Sequence, residues 1–236
     1  MPVQNQSWTL VIICYNEMAT LKRVVDSARP VLRKMAPGRY EIIIVDDGSV
    51  DGTRPLILKL VKKYPEIRSI HHSLNLGIGM ALRSGYFNSK YENVCVIPGD
   101  GQFNVEELLP FTTIKRGTFV SFFRKKQEGY TLFRLFISKF NQGINRVLLR
   151  MNLLDVNWVK IYKRAELLKL DLKLQSSLIE SEICAKMVKR GNLCIQSPAV
   201  YLPRTYGKAK GGSFKIVITA LWELLKLIRA VWAYSV

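Results

Sequence analysis

Apolar residues along the chain follow two rhythms. Short continuous runs occur at Trp8-Thr9-Leu10-Val11-Ile12-Ile13-Cys14, at Tyr40-Glu41-Ile42-Ile43-Ile44-Val45, over Ile67–His71 and at Asn93-Val94-Cys95-Val96-Ile97. Runs of this length without alternation predict strands buried on both faces. Between them the apolar spacing widens to three and four. Leu21, Val24, Val25, Val31 and Leu32 follow the first run, Leu56, Leu58 and Val61 the second, and Leu82 through Phe87 the third. Those stretches predict amphipathic helices. Strand and helix in strict alternation predict an α/β fold with a mostly parallel sheet covered on both faces.

Each predicted strand stops at a polar or glycine-rich stretch. Tyr15-Asn16-Glu17 follows the first, Asp46-Asp47-Gly48-Ser49-Val50-Asp51-Gly52-Thr53 the second, Asn75-Leu76-Gly77-Ile78-Gly79 the third and Pro98-Gly99-Asp100-Gly101-Gln102 the fourth. The carboxyl ends of parallel strands share one edge, and ligands bind just beyond it. The expected site therefore joins the ends of the first, second and fourth strands. A nucleotide fits across such an edge, with carboxylates accepting base and ribose hydrogen bonds and a divalent cation meeting the diphosphate. Asp100, between two glycines, reads either as a metal or phosphate ligand or as part of a tight turn bonding local N–H groups. Two other phosphate-binding patterns are excluded. The chain has no Gly-x-x-x-x-Gly-Lys-Ser/Thr loop, and Gly77-Ile78-Gly79 follows the third strand and lacks the last glycine of the dinucleotide fingerprint. Gly77 and Gly79 suit a tight strand-to-helix turn.

In this order and at these distances, Ile13-Cys14-Tyr15-Asn16-Glu17, the Val45-to-Thr53 stretch, Asn75-Leu76-Gly77 and Asp100-Gly101-Gln102 resemble the inverting family-2 glycosyltransferases with a GT-A fold. The branch the chain most resembles is that of the dolichyl- and polyprenyl-phosphate sugar synthases. The resemblance continues through Ser121-Phe122-Phe123-Arg124, Asp155-Val156-Asn157 with Lys160, Glu180-Ser181-Glu182, and Arg204-Thr205-Tyr206-Gly207-Lys208-Ala209-Lys210. It implies a GT-A (Rossmann-like) domain over residues 1–211 that binds a nucleotide-diphosphate sugar. It also implies that Tyr15, Glu17 and Asp47 hold the nucleoside, Asp47 accepting from a base N–H. Ile13, Val45 and Gly99 belong to the same binding set, with Val45 lining the base pocket. Asp46 and Asp51 suit turn and helix-cap service instead.

At the fourth strand the chain departs from the family. Pro98 stands where the first acid of the usual Asp-x-Asp is found, while Asp100 and Gln102 keep the positions of the second metal ligand and the glutamine after it. Magnesium or manganese can bind through Asp100, Gln102, diphosphate oxygens and water, with a weakened affinity for the free ion. Arg124, Arg204 and Lys210 match family positions that face the phosphates, and Lys160 joins them. Fixed cations there stabilise a departing nucleoside diphosphate. Lys208 reads as solvated surface. Transfer to a hydroxyl requires a carboxylate base, and Glu182 matches the nearest branch better than Glu180 does. A polyprenyl phosphate is already anionic and requires none. A salt-bridged helix surface is the other reading of both glutamates.

Charge narrows the partners. Thirty-six Lys and Arg against 18 Asp and Glu give the 236 residues a net charge of +18. That balance calls for a phosphorylated substrate or an anionic membrane surface. Nucleic acid is disfavoured, because the positive residues are spread along the chain with no recognisable binding motif. Cys14, Cys95, Cys184 and Cys194 have no metal-ligand spacing and suit a reducing compartment, and the first seven residues lack the features of a signal peptide. The expectation is a cytoplasmic protein, peripheral at the inner face of the membrane. Residues 129–150 combine an apolar face with basic edges. In residues 212–236, Lys215, Thr219, Glu223, Lys226 and Arg229 recur at helical spacing and leave a broad apolar face. This C-terminal amphipathic helix suits either a membrane interface, anchored by Trp222, Trp232 and Tyr234, or docking on the domain, an oligomer partner or a membrane protein. Three functions stay open: transfer to a polyprenyl phosphate, transfer to a saccharide or lipid hydroxyl in cell-envelope glycan synthesis, and a scaffold on the same fold that Pro98 has deprived of catalysis.

Overall fold

The computed structural model describes residues 6–124, 143, 145–147, 149–203 and 214–235, with side chains in the last segment from Trp222 onward. Its strands are β1 (Trp8–Cys14), β2 (Tyr40–Asp46), β3 (Ile67–His71), β4 (Asn93–Pro98), β5 (Thr118–Arg124), β6 (Lys160–Lys163) and β7 (Leu193–Ala199). They form one sheet in the order β3-β2-β1-β4-β6-β5-β7. All neighbours are parallel except β6, which runs against both β4 and β5. The apolar runs predict the first four strands; β5, β6 and β7 complete the sheet.

The continuous apolar runs have a direct cause. Ile42 and Ile44 enter one core cluster and Ile43 and Val45 the other, so successive residues of β2 are buried on opposite faces. On the first face lie α1 (Leu21–Met35) and α2 (Thr53–Lys63). The α1 residues Leu21, Val24, Val25, Ala28, Val31, Leu32 and Met35 make its buried stripe. On the second face lie α3 (Ile78–Phe87), the short α4 (Arg164–Leu167), α5 (Ile179–Lys189) and α6 (Phe214–Trp232).

Register brings the strand ends together. Ile13 of β1 stands opposite Val45 of β2 on one side and Pro98 of β4 on the other. Beyond the strands, Asp47 N–H donates to the Cys14 carbonyl (2.9 Å) and Gly99 N–H to the Ile13 carbonyl (2.8 Å). The polar stretches after β1, β2 and β4 thus leave the sheet at one level.

The tail helix is docked on the domain, with Leu227 and Val231 buried in the second cluster. Trp222 and Trp232 point outward. Tyr234 does not share their position as an interfacial anchor. It packs against the core, its hydroxyl accepts from Arg190 Nη1 (3.2 Å), and Lys186 Nζ sits 4.9 Å from its ring centroid. Most of residues 129–150 lies outside the described residues.

Candidate functional site

The end of β2 carries two carboxylates with different surroundings. Asp46 is buried. Its Oδ1 accepts from Ser49 N–H (2.9 Å), and its Oδ2 meets Arg54 Nε (2.9 Å) and His71 Nδ1 (3.2 Å). Burial alone would raise its pKa, but the bonds from Ser49, Arg54 and His71 outweigh it and hold the carboxyl below its ordinary range. Asp51 accepts from Thr53 N–H (2.9 Å) at the start of α2 and from Met18 N–H (3.4 Å). The turn and cap roles expected of Asp46 and Asp51 are the ones their bonds serve.

Asp47 faces the loop after β3. Oδ1 accepts from Leu76 N–H (2.9 Å) and meets His72 Nδ1 (2.7 Å), while Oδ2 accepts from Gly77 N–H (2.9 Å). His72 Nε2 in turn meets Ser84 Oγ of α3 (2.8 Å). Three donors fill three of the roughly four acceptor directions of a carboxylate, leaving about one for a nucleobase. Gly48 allows this approach of two loops. Its φ is +74°, and a Cβ there would lie 2.3 Å from the Leu74 carbonyl carbon. Opposite, Asn16 ties the two loops together, its N–H donating to Ser49 Oγ and its Oδ1 accepting from Val50 N–H, both at 2.9 Å. Glu17 N–H donates to Thr53 Oγ1 (2.9 Å). Tyr15 and Glu17 are partly buried beside them, and Val45 is wholly buried beneath.

At the end of β4 the chain passes close under β1. A Cβ on Gly99 would meet Cys14 Cβ at 3.0 Å and the Ile13 carbonyl oxygen at 3.1 Å. The Thr20 hydroxyl has both the Gly99 carbonyl oxygen (2.9 Å) and Glu17 Oε2 (3.0 Å) within hydrogen-bond reach of its single proton. Asp100 Oδ1 accepts from Gln102 N–H (3.0 Å), and the Gln102 amide donates to the Tyr201 hydroxyl. A Cβ on Gly101 would come within 2.9 Å of Arg23 Nη2, which places a guanidinium of α1 against this turn. Hard oxygens from one carboxylate and one amide suit magnesium or manganese only when the ligand supplies the remaining oxygens. Among the described residues no group of three or more His, Cys, Asp or Glu is arranged to hold a metal by itself. Asp100 and Gln102 are the residues that would hold one, with Pro98 adding no ligand.

Beside this turn a cavity of about 170 Å³ opens between the ends of β1 and β4, α3 and the start of α5. Ile13, Pro98, Trp158, Lys160, Ser177 and Glu180 are among its lining residues. Two expectations change here. Lys160 is 1% exposed, and its Nζ donates to the carbonyls of Asp155 (3.2 Å), Val156 (2.8 Å) and Trp158 (3.0 Å). All three of its N–H groups hold the 155–158 loop, so it is not poised over a phosphate. Glu182, expected as the base, is 0% exposed and does not line the cavity. It accepts from Lys173 N–H and Leu174 N–H, both at 2.8 Å, and pairs with Lys186 Nζ at 2.6 Å. It is a structural carboxylate that fastens the 173–174 segment to α5.

Glu180 is the glutamate at the cavity. Its oxygens accept from Tyr86 Oη (2.5 Å) and Tyr162 Oη (2.7 Å), and burial raises its pKa against the opposing pull of Lys160 and the two hydroxyls. The thiols nearby are inert; burial pushes Cys184 up to about 12. Arg124 forms a bidentate pair with Asp155, at 2.7 Å from Nε and 3.1 Å from Nη2. Its guanidinium lies 4.9 Å from the Trp158 ring and 5.7 Å from Tyr201. It therefore ties the 155–158 loop to the Tyr201–Gln102 side of the turn. Among the described residues the buried Trp158 indole N–H, beside the cavity, has no partner. Arg204 and Lys210 lie outside the described residues.

Sequence reading missed Thr20, Arg23, His72, Tyr86, Trp158, Tyr162 and Tyr201. Of these, His72 directly follows β3, but none belongs to the polar or glycine-rich stretches read as motifs. The signal that was available was chemical: aromatic and hydroxyl side chains in otherwise apolar segments require partners when buried.

A twisted α/β sheet whose carboxyl edge gathers Asp47, Asp100 and Gln102 above a partly apolar cavity defines the GT-A-like class of domain. The family model "Glycosyl transferase family 2" matches residues 9–153, and the chain belongs to that family. A dolichyl-phosphate beta-glucosyltransferase of Trichomonas vaginalis is 29% identical over 132 residues, covering 51% of this chain and 39% of that protein. Its counterpart in Saccharomyces cerevisiae is 35% identical over 109 residues, covering 43% and 33%. The matches thus span well under half the length of these relatives. Glucosyl-3-phosphoglycerate synthase from Mycobacterium tuberculosis, solved with uridine diphosphate, aligns with a TM-score of 0.70 at 18% identity over 95% of this chain and 80% of that one. The same enzyme solved with manganese, uridine diphosphate and glucosyl-3-phosphoglycerate gives 0.62 at 18% identity, covering 97% and 78%. At that identity the likeness is one of fold. Among the described residues no helix is long and apolar enough to cross a membrane.

Proposed function

We propose that this chain transfers a sugar from a nucleotide-diphosphate sugar to a polyprenyl phosphate, with inversion at the anomeric carbon. The observation that carries the choice of acceptor is the state of the two α5 carboxylates. Glu182 is enclosed by Lys173, Leu174 and Lys186, and Glu180 has a tyrosine hydroxyl on each oxygen. A hydroxyl acceptor must lose a proton to a base within hydrogen-bond reach, whereas a phosphate monoester attacks as the anion it already is. The dolichyl-phosphate glucosyltransferases among the relatives agree with this choice.

In the proposed reaction a phosphate oxygen of the acceptor forms the new bond to the anomeric carbon. The bond from that carbon to the donor diphosphate breaks in line, and the electron pair leaves on the nucleoside diphosphate. Asp47 binds the base, Tyr15 and Glu17 bracket the nucleoside, and Arg204 and Lys210 meet the diphosphate. The Trp158 indole N–H, which has no partner among the described residues, offers a donor to a sugar oxygen. Asp100 and Gln102 would hold magnesium or manganese, which would supply positive charge to the leaving group. A peripheral position at the inner membrane face would bring the site to its lipid acceptor.

The test is a panel of nucleotide sugars assayed against a polyprenyl phosphate, with a sugar-phosphate-lipid as the expected product. Absence of any turnover, together with no thermal stabilisation by nucleoside diphosphates with or without manganese, would return the chain to the scaffold reading. A second enzymatic reading, transfer to a hydroxyl, is favoured by the place of Glu180 on the cavity wall. Glu180→Gln separates the two, sparing transfer to phosphate and abolishing transfer to a hydroxyl.

A further inference from the structure

The outer side of α6 is unlike the side that meets the domain. Trp222, Leu225, Arg229 and Trp232 succeed one another at spacings of three, four and three, which places them on one helical face. Trp222 is 70% exposed, Leu225 55% and Trp232 67%. Lys226 and Arg229 are exposed among them. Single exposed apolar residues are ordinary, but a contiguous stripe with two tryptophans marks an interaction surface.

A second feature adjoins the stripe. Between α5, α6 and residues 149–150 runs a groove of about 460 Å³, lined by Leu149, Ala185, Val188 and Val231 with Arg150, Lys189 and Trp232. Lys189 is held in place by donating to the carbonyls of Val231 (3.1 Å) and Trp232 (3.2 Å) at the end of α6. Hydrocarbon walls with cations beside them match the junction between the acyl chains and the phosphates of a lipid.

We propose that this face of α6, with the groove beside Trp232, is the surface by which the protein sits on an anionic phospholipid bilayer. Trp222, Leu225 and Trp232 enter the headgroup region, where indoles partition well. Arg150 and Arg229 face lipid phosphates, and the net charge of +18 draws the whole molecule to the same surface. A second copy of the chain is a poorer occupant, because two identical cationic faces repel each other. The proposal concerns residues other than those placed at the sugar-transfer site and stands whether or not that activity is found.

The experiment is sedimentation of the full chain with phosphatidylcholine vesicles containing or lacking phosphatidylglycerol, read together with the tryptophan emission maximum. Binding to the anionic vesicles with a blue shift is expected, with affinity for neutral vesicles lower by about tenfold or more. Trp222→Ser with Trp232→Ser should lower anionic-vesicle binding by about tenfold or more. Both side chains are more than half exposed, so the circular dichroism spectrum should hold. Arg150→Glu with Arg229→Glu should remove most of the preference for phosphatidylglycerol. Undiminished vesicle binding by the tryptophan variant, or no vesicle binding by the native chain, would overturn the proposal. A concentration-dependent dimer that the tryptophan variant abolishes, without vesicle binding, would assign the face to a second copy instead.

Discussion

In the β3-β2-β1-β4 half of the sheet, carboxylates lie at or just after the strand ends, and each accepts from at least one backbone N–H of a loop. Asp47 holds Leu76 and Gly77, Asp46 holds Ser49, and Asp100 holds Gln102. In the β6-β5-β7 half, acids lie on a helix or in a loop between strands, and side-chain cations and hydroxyls take a larger share of their bonds. Asp155 pairs with Arg124, Glu182 with Lys186, and Glu180 with two tyrosines. The first arrangement shapes an edge that still accepts a ligand, because backbone donors fix the loops while leaving acceptor directions open. The second fastens structure together. Glu180 and Glu182, two residues apart on α5, show how sharply the environment decides: one reaches the cavity wall and the other is sealed behind it.

The largest effect expected from breaking this contrast is on stability at Glu182. Glu182→Ala leaves the Lys173 and Leu174 N–H groups without their acceptor and the buried Lys186 ammonium without its counter-charge, with the Asp171 carbonyl as its remaining acceptor among the described residues, and should cost about 3–5 kcal/mol in denaturant unfolding. Transfer by the folded fraction should persist, and a variant as stable as the native chain would dissolve the contrast. Next comes Asp100. Asp100→Ala should lower kcat by about 100-fold, or about 2.7 kcal/mol, with little change in Tm, because the residue lies on a partly exposed turn outside the core. Equal activity of that variant would move the site elsewhere. At Lys160, replacement by Met leaves the carbonyls of Asp155, Val156 and Trp158 without their donor and should cost about 1–3 kcal/mol. A loss of nucleotide affinity with unchanged stability would instead restore Lys160 to the phosphates.

The same contrast explains what the sequence made legible. The doubly buried strands β1 to β4 read directly, because Ile42 to Val45 alternate between two cores and leave an unbroken apolar run. Their ends read as a site because parallel topology puts them on one edge. The short β6, Lys160 to Lys163, has lysines at both ends, and both are buried. Its polarity is satisfied by the 155–158 carbonyls and by Gln6 and Glu92, contacts that no local pattern announces. Motif position alone did not separate Glu180 from Glu182. Which of two acids on a buried helix turns toward a cavity depends on the partners, Tyr86 and Tyr162 for one and the 173–174 N–H groups for the other. These come from elsewhere in the chain.

The finest probe of that difference is the pH dependence at Glu180. Burial holds its carboxyl above the ordinary range, although Lys160 and the two tyrosine hydroxyls pull the other way. A carboxyl whose folded pKa lies above the unfolded value, about 4.3, contributes stability that is complete below that value and is lost as pH rises through the folded pKa. Glu180→Gln has nothing to ionise. Its amide keeps one acceptor for a tyrosine and offers a donor to the other, so the pocket remains filled. The stability of the variant relative to the native chain should therefore rise as pH climbs from about 4 toward neutrality and beyond. Denaturant midpoints of both proteins across that range measure the trend. A difference that stays flat would mean that Glu180 ionises as easily in the fold as in the unfolded chain. The cavity wall would then be wetter than its lining of Ile13, Pro98 and Trp158 implies.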